Sequence, residues 1–285
     1  KLLDSQASGD FLGEVLYNRR VTYLREVFAG YLAHYNFNWL FVLGDLPRHH
    51  APDMGLLYLW EAPFFFLGIY FLLFGKFPKR TKWLLFTWFL IAPIPASITN
   101  GVPHAVRTIN FLPTFQVFVA IGLFTTILFI STLKYRLLRF ALFAVLIASF
   151  LVNFVYYLNQ YFVQQNYFSS REWQYGYEEA VADVRKREKD YEKIIVSDQT
   201  PLDQSYIFFL FYLQYPPAEY QKEAAAHPDK KAFGKYEFRN IQWDNEKVDE
   251  KILYISHPSD FTSRKNTLKS INFLDGTPAI LFIEK

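Results

Sequence analysis

Long apolar runs separated by short polar segments dominate the first part of the chain and predict membrane-spanning helices. A spanning helix needs about 20 mostly apolar residues. Four runs meet this requirement, over about 56–75, 83–106, 108–133 and 140–161. Pro93 and Pro95 are expected to break or kink the second helix near its far end, because proline removes a backbone donor and clashes with the preceding turn. The pattern therefore predicts a polytopic α-helical membrane protein with about four transmembrane helices.

Basic residues cluster in the short loops after the first and third of these helices. Neither loop has an acidic residue, and their basic residues are Lys76, Lys79, Arg80 and Lys82 in one and Lys134, Arg136 and Arg139 in the other. The positive-inside rule places both loops in the cytoplasm. Residues 1–55, the loop at about 97–107 and everything after about 161 are then expected outside it. These expectations describe a multi-pass protein of the cell membrane.

The segments expected on the outer side differ from the transmembrane part, residues 56–161. Residues 1–55 combine apolar positions at helical spacing with an aromatic group at 35–41, which predicts an outer helical segment and loop at the membrane interface. A helix in an ordinary soluble core is the alternative for this segment. Residues 162–285 alternate helix and strand patterns and predict a small extracytoplasmic α/β domain with a Rossmann-like sheet.

Within the α/β domain, the pattern predicts an amphipathic helix over 173–190 and an aromatic helix over 206–213. Strands are expected at 193–197, 238–242, 252–256, 268–273 and 279–283. Asp275 and Gly276 predict a hairpin turn before the last strand. The domain has no GxGxxG, Walker or DxD motif, so nothing in it supports binding of a nucleotide or a nucleotide sugar.

Charge and composition agree with this division. Residues 1–159 carry 13 basic and 7 acidic residues, a net charge of +6, and residues 160–285 carry a net charge of −3, which together give +3. No Asp or Glu lies between Glu61 and Glu172. The chain has no Cys, which excludes disulfide scaffolds, thiolate zinc sites and cysteine nucleophiles.

A first group of polar residues precedes the first apolar run. It consists of Gly44, Asp45, Arg48, His49, His50, Asp53 and Gly55. Asp45 and His49 are four residues apart, and His50 and Asp53 three, so a helical turn would bring carboxylate and imidazole together for a metal ion or a proton relay. Two alternatives stay open: an interfacial loop solvated by water and headgroups, and a cationic edge that receives a phosphate.

A second group lies at the outer end of the third apolar run. Asn100, His104 and Arg107 surround Pro103, which is expected to begin a helix with His104 and Arg107 on one face. Arg107 is the one charged residue between Lys82 and Lys134, so it is expected to bind a phosphate or a carboxylate. Snorkelling to headgroups, or pairing with an acid elsewhere in the fold, are the alternatives.

Glu61 is a further candidate because it lies inside an apolar run, just before Pro63. Acidic residues in membrane helices are usually functional, although near the interface they cost less free energy. Pairing with Arg107 or with a histidine is the alternative interpretation.

Several of these segments resemble one family of membrane enzymes. The run PHAVRTINFLPTFQVFVAIGL resembles the His-x-x-Arg, then Leu-Pro, segment of bacterial membrane glycosyltransferases of the protein mannosyltransferase and aminoarabinose transferase superfamily, which has the GT-C fold. The stretch YLAHYNFNWLFVLGDLPRHHAPDMGLLY is similar to their outer loop ahead of a transmembrane helix. WQYGYEEAV and FFLFYLQYPPAEYQ are similar to the outer α/β domain that many members carry.

The resemblance implies an inverting glycosyltransferase that moves a sugar from a polyprenyl-phosphate donor to a glycan, lipid or protein acceptor outside the cytoplasm. It implies that the carrier phosphate is bound by Arg107, His104, His49, His50 and Arg48, with polar support from Asp45, Asp53, Glu61 and Asn100. The family's catalytic Asp, in the first outer loop, has no counterpart, so the catalytic residue is expected upstream of this chain.

Other expectations concern cofactors and partners. A divalent metal is a candidate cofactor, no ligand set is assigned to it, and the expected partners are the lipid bilayer and the sugar donor, with no nucleic acid. The competing function is a non-enzymatic, membrane-anchored extracytoplasmic domain that binds a partner or a glycan. A transporter is less favoured, because Glu61 is the one acidic residue in the predicted spanning helices.

Overall fold

A computed structural model of the chain describes residues 2–228, 231–246, 251–263 and 265–285. The chain divides into two compact units, Lys1–Gln165 and Asn166–Lys285. Each unit has its own hydrophobic core.

The first unit is helical. Its α-helices are α1 (Leu2–Ser8), α2 (Phe11–Leu16), α3 (Arg19–Ala33), α4 (Ala62–Phe74), α5 (Lys79–Ile91), α6 (Ile94–Ser97), α7 (Leu112–Thr132) and α8 (Arg136–Asn159). Shorter 3₁₀ segments cover Leu59–Glu61 and Val106–Phe111, and π-helical segments cover Trp39–Leu43 and Gln160–Gln164. The short helix α9 (Gln165–Phe168) lies at the boundary between the units.

Helices α4 and α7 pack so closely that no side chain separates their backbones at Gly68 and Gly122. A Cβ atom added to Gly68 of α4 would overlap the carbonyl oxygen of Phe118, and one added to Gly122 of α7 would overlap the carbonyl oxygen of Phe64. Small residues at a helix interface allow such close approach. Phenylalanine rings fill the space around this contact, and Phe118 is fully buried there.

Among the described residues, two helices are long and apolar enough to cross a membrane, Val106–Thr132 and Arg136–Phe168. They correspond to the third and fourth predicted spans. The first predicted span is shorter than expected, because the apolar helix covers only Leu59–Phe74. The second ends at Ile91 and is followed by the short α6, which confirms the predicted break at Pro93. The prediction of about four transmembrane helices is therefore not confirmed.

Helix α8 differs from the other long helix in how little of it is buried. None of its residues is buried within the chain, although its composition is strongly apolar. Burying apolar surface is the main favourable contribution to folding, so a helix of this kind needs an apolar environment from outside the chain.

The second unit is a six-stranded sheet with helices. Its elements are α10 (Tyr177–Arg187), β1 (Lys193–Ser197), α11 (Ser205–Leu213), α12 (Pro217–Ala226), β2 (Lys231–Phe233), β3 (Tyr236–Arg239), β4 (Ile252–Ser256), β5 (Thr267–Asn272) and β6 (Pro278–Ile283). The strand order is β2-β3-β1-β4-β6-β5. Strands β3, β1 and β4 are parallel, and the remaining pairs are antiparallel.

The sheet confirms the predicted α/β class but corrects two details. It is mixed, whereas the prediction was Rossmann-like, because β2, β5 and β6 pair antiparallel. Helix α10 begins at Tyr177 and not at residue 173, since Gln174 and Gly176 have φ values of 52° and 103°. Left-handed residues cannot continue a right-handed helix, so the segment before Tyr177 forms turns.

Candidate functional site

The loop before α4 and the turn before α7 meet through Asp45. The π-helical segment Trp39–Leu43 ends at Gly44, whose φ of 71° lets the chain reverse. Asp45 follows directly, and its Oδ2 accepts a hydrogen bond of 2.8 Å from the backbone N–H of Ala105. The Asp45 side chain is 2% exposed. This contact connects two segments that are 60 residues apart in the sequence.

Asp45, His49 and His104 form one side-chain cluster. Each offers one ligand atom, and these atoms lie within 4.8 Å of one another. Oδ2 of Asp45 is 3.5 Å from Nδ1 of His49, and the rings of His49 and His104 lie 4.7 Å apart between centroids. The predicted approach of Asp45 to His49 is therefore confirmed, and His104 joins them.

His34 contacts this cluster through the backbone of His104, and no prediction from the sequence included it. Its side chain is fully buried, and Nδ1 lies 2.8 Å from the carbonyl oxygen of Gly30. The backbone N–H of His104 donates to Nε2 of His34 at 3.4 Å. Nδ1 must therefore carry the ring proton, because Nε2 accepts. The one signal for His34 in the sequence was its position at the end of the predicted interfacial helix.

His104 and the neighbouring His34 both have a lowered pKa. Burial lowers the pKa of His104, and the positive charge of Arg107 lowers it further. Burial also lowers the pKa of His34. A neutral histidine keeps one nitrogen lone pair that can accept a proton or bind a metal ion. In His34 the backbone N–H of His104 occupies this lone pair, whereas Nδ1 of His104 has no hydrogen-bond partner among the described residues.

Arg107 and His104 do not share a helix face as predicted. The 3₁₀ segment begins at Val106, after the cis Val102–Pro103 bond and beyond His104, so Pro103 does not begin a helix. His104 is buried, whereas Arg107 is exposed. The guanidinium of Arg107 donates to Oγ1 of Thr99 at 2.7 Å and to the carbonyl oxygen of Asn100 at 2.6 Å.

Neutral oxygens thus hold Arg107, and Asn100 contributes only its backbone. These bonds use one nitrogen of the guanidinium fork, which has five donors in total. Arg48 is also exposed, and its charge, like that of Arg107, acts on His104. Binding of a phosphate by Arg48 and Arg107 stays a prediction.

The remaining predicted residues lie outside the cluster. Nδ1 of His50 lies 2.8 Å from the carbonyl oxygen of Ala51, and its ring packs on Gly44. Asp53 is exposed, and its carbonyl oxygen accepts from the hydroxyl of Tyr156 at 2.6 Å. Neither His50 nor Asp53 therefore belongs to the Asp45–His49–His104 cluster.

Glu61 has a structural contact that the sequence analysis did not predict. Its Oε2 accepts from the backbone N–H of Tyr58 at 3.1 Å, and its side chain also bonds Gln116. It forms part of a capping box at the start of the helical segment that leads into α4. Among the described residues no ion pair joins Glu61 to Arg107 or to a histidine, so the structure does not bear out the alternative interpretation.

An apolar cleft of about 240 Å³ opens beside the cluster. One wall comes from Trp39, Leu40 and Leu57, and the other from Ile109, Leu112 and Phe115. His49 is the one ionisable side chain among the described residues that line it. The cleft therefore joins an apolar surface to the polar Asp45–His49–His104 cluster.

Comparison with known proteins identifies no relative of this chain. No protein-family model, no curated protein and no solved structure matches this chain.

Proposed function

We propose that this chain spans a membrane and binds a polyprenyl-phosphate sugar donor, as the donor-binding part of an inverting glycosyltransferase whose acceptor lies outside the cytoplasm. The observation that carries the proposal is the apolar cleft that His49 lines, with Asp45 and His104 beside His49. A ligand that matches such a site is an amphiphile with an apolar chain and a polar head.

The charges around the cleft favour an anionic head. Arg48 and Arg107 are both exposed, and both act electrostatically on His104. Arginine binds phosphate through several donors of its planar guanidinium group. A phosphate bound there would be stabilised as the sugar–oxygen bond breaks and negative charge develops on the leaving group.

The position of the cleft supports a ligand that lies in a bilayer. Ile109 and Leu112 line the cleft at the beginning of the apolar helix Val106–Thr132, and both side chains are exposed. An isoprenoid chain in the cleft would continue along this helix into the hydrocarbon region. The resemblance to membrane glycosyltransferases in the sequence agrees with this placement.

Replacing Ile109 with Asn is expected to weaken donor binding about tenfold, because one cleft wall loses most of the contact that an isoleucine side chain provides. Ile98→Asn is the matched control: Ile98 is 68% exposed and Ile109 70%, and Ile98 does not line the cleft. The measurement is equilibrium binding of a radiolabelled polyprenyl-phosphate sugar to the chain in lipid nanodiscs.

Equal loss of binding in Ile98→Asn and Ile109→Asn would contradict the assignment of the cleft. If the wild type binds no donor, the competing function, a membrane-anchored binding domain without transferase activity, becomes the better account.

A further inference from the structure

We propose that Asp45, His49 and His104 bind a divalent transition-metal ion, and that zinc is the metal that fits them best. The three ligand atoms lie within 4.8 Å of one another. The residues come from two segments separated in sequence, and both segments are held in place by the fold. The proposal does not rest on the proposed donor, because it concerns only side chains of this chain.

The distance between the ligand atoms of Asp45 and His49 suits a tetrahedral centre. Zinc binds histidine nitrogen and carboxylate oxygen at about 2.1 Å, so two ligands of a tetrahedral ion lie about 3.4 Å apart. Nδ1 of His49 and Oδ2 of Asp45 are 3.5 Å apart. This separation is long for a hydrogen bond but close to the edge of a zinc tetrahedron.

Unpartnered nitrogens provide a second, independent observation. Nδ1 of His49 and Nδ1 of His104 are buried and have no hydrogen-bond partner among the described residues. The His104 residue as a whole is only 9% exposed. A buried polar atom without a partner costs about 1–3 kcal/mol, so two adjacent ones need an explanation. A shared metal ion would satisfy both.

The surrounding hydrogen bonds hold the ligands in position. The backbone of His104 is bonded on both sides: its N–H donates to Nε2 of His34, and its carbonyl oxygen accepts from Oγ1 of Thr108 at 2.8 Å. The carboxylate of Asp45 accepts from the backbone N–H of Ala105. Hydrogen bonds to the residues that bind a metal ion orient those residues and raise their affinity for the ion.

The donor set distinguishes between metals. Two imidazoles and one carboxylate suit zinc and other late first-row ions, whereas magnesium and calcium prefer oxygen ligands. Three protein ligands leave one tetrahedral position open. His49 also lines the apolar cleft, so the proposed ion would lie beside the cleft.

The test uses the chain in detergent, stripped of metal with a chelator and without added lipid. Zinc is titrated against a competing dye, and cobalt is titrated while the visible absorption of four-coordinate Co²⁺ is recorded. We expect one ion per chain for the wild type. His49→Gln and His104→Gln are expected to weaken zinc binding at least about tenfold, since each removes a ligand.

His50→Gln is the matched control, because His50 adjoins His49 but bonds to Ala51 and lies outside the cluster. It is expected to bind zinc like the wild type. Asp45→Asn is a second ligand variant that keeps an oxygen to accept from Ala105. Near-ultraviolet circular dichroism identifies any variant that has lost its fold.

Two results would overturn the proposal. The first is a wild type that binds neither zinc stoichiometrically nor cobalt in four-coordinate form, an outcome that does not depend on how the variants fold. It would show that the cluster holds no metal ion. The second is equal weakening by His50→Gln and His49→Gln. Because no donor lipid is present, failure of this test is separate from failure of the proposed function.

Discussion

Replacing Gly122 with valine is expected to destabilise the first unit by about 3 kcal/mol. The new Cβ would overlap the carbonyl oxygen of Phe64. The obstacle is backbone and not a flexible side chain, so α4 and α7 must move apart. Their separation would also loosen the phenylalanine core around Phe118.

Ala120→Val is the control for this prediction. Ala120 lies two residues earlier on α7 and is exposed, so the valine there has the same helix propensity without the clash. The measurement is the free energy of unfolding in detergent, followed by circular dichroism. Equal unfolding free energies for the two variants would show that α4 and α7 do not pack through these glycines.

Replacing Ile147 with arginine is expected to cost about 2.5–3.5 kcal/mol of membrane insertion if α8 spans a bilayer. Ile147 lies near the middle of α8, and its side chain is exposed. An exposed helix in water would accept the same arginine with a change of only about 0.5 kcal/mol. The substitution therefore distinguishes a lipid-facing helix from a water-facing one.

Leu137→Arg is the matched control, because Leu137 is also exposed and apolar but lies beside Arg136 at the end of α8. An arginine there can reach the interface. The measurement is the inserted fraction of each variant in microsomes, determined by protease protection. Full insertion of Ile147→Arg would contradict a spanning α8.

The sequence predicts the C-terminal sheet well because its central strands are short, continuous apolar runs. Strands β1 and β4 have the predicted bounds, and Ile194 and Leu253 within them are fully buried. Parallel strands covered on both faces have this pattern. Helix α12 was not predicted; it begins at Pro217, and proline fits the first turn of a helix.

The spanning segments are harder to predict, because an apolar run does not show where its helix begins. Part of the first run lies outside the helix: Leu56 and Leu57 line the cleft, and α4 begins only at Ala62. Composition cannot separate a spanning segment from an apolar loop that packs beside it. The boundary depends on tertiary contacts such as the cap made by Glu61.

In the candidate site too, local contacts were predicted from the sequence and long-range contacts were not. The spacing of Asp45 and His49 predicts their approach, because both lie in one turn. The contact of His104 with His34 spans 70 residues, and no local pattern indicates it. Thr99 and Asn100 supply neutral acceptors to Arg107 that a charge count cannot reveal, and phosphate binding by Arg107 stays a prediction.

The central claim is that the cleft and its cluster bind a lipid through both its chain and its phosphate. The most direct test is competition for a radiolabelled polyprenyl-phosphate sugar on the wild-type chain in nanodiscs. The unlabelled polyprenyl phosphate is expected to compete at least about tenfold better than the polyprenol of equal length, about the 1.4 kcal/mol of one charged phosphate contact. Equal competition by the two lipids, or no saturable binding of the donor, would contradict the claim.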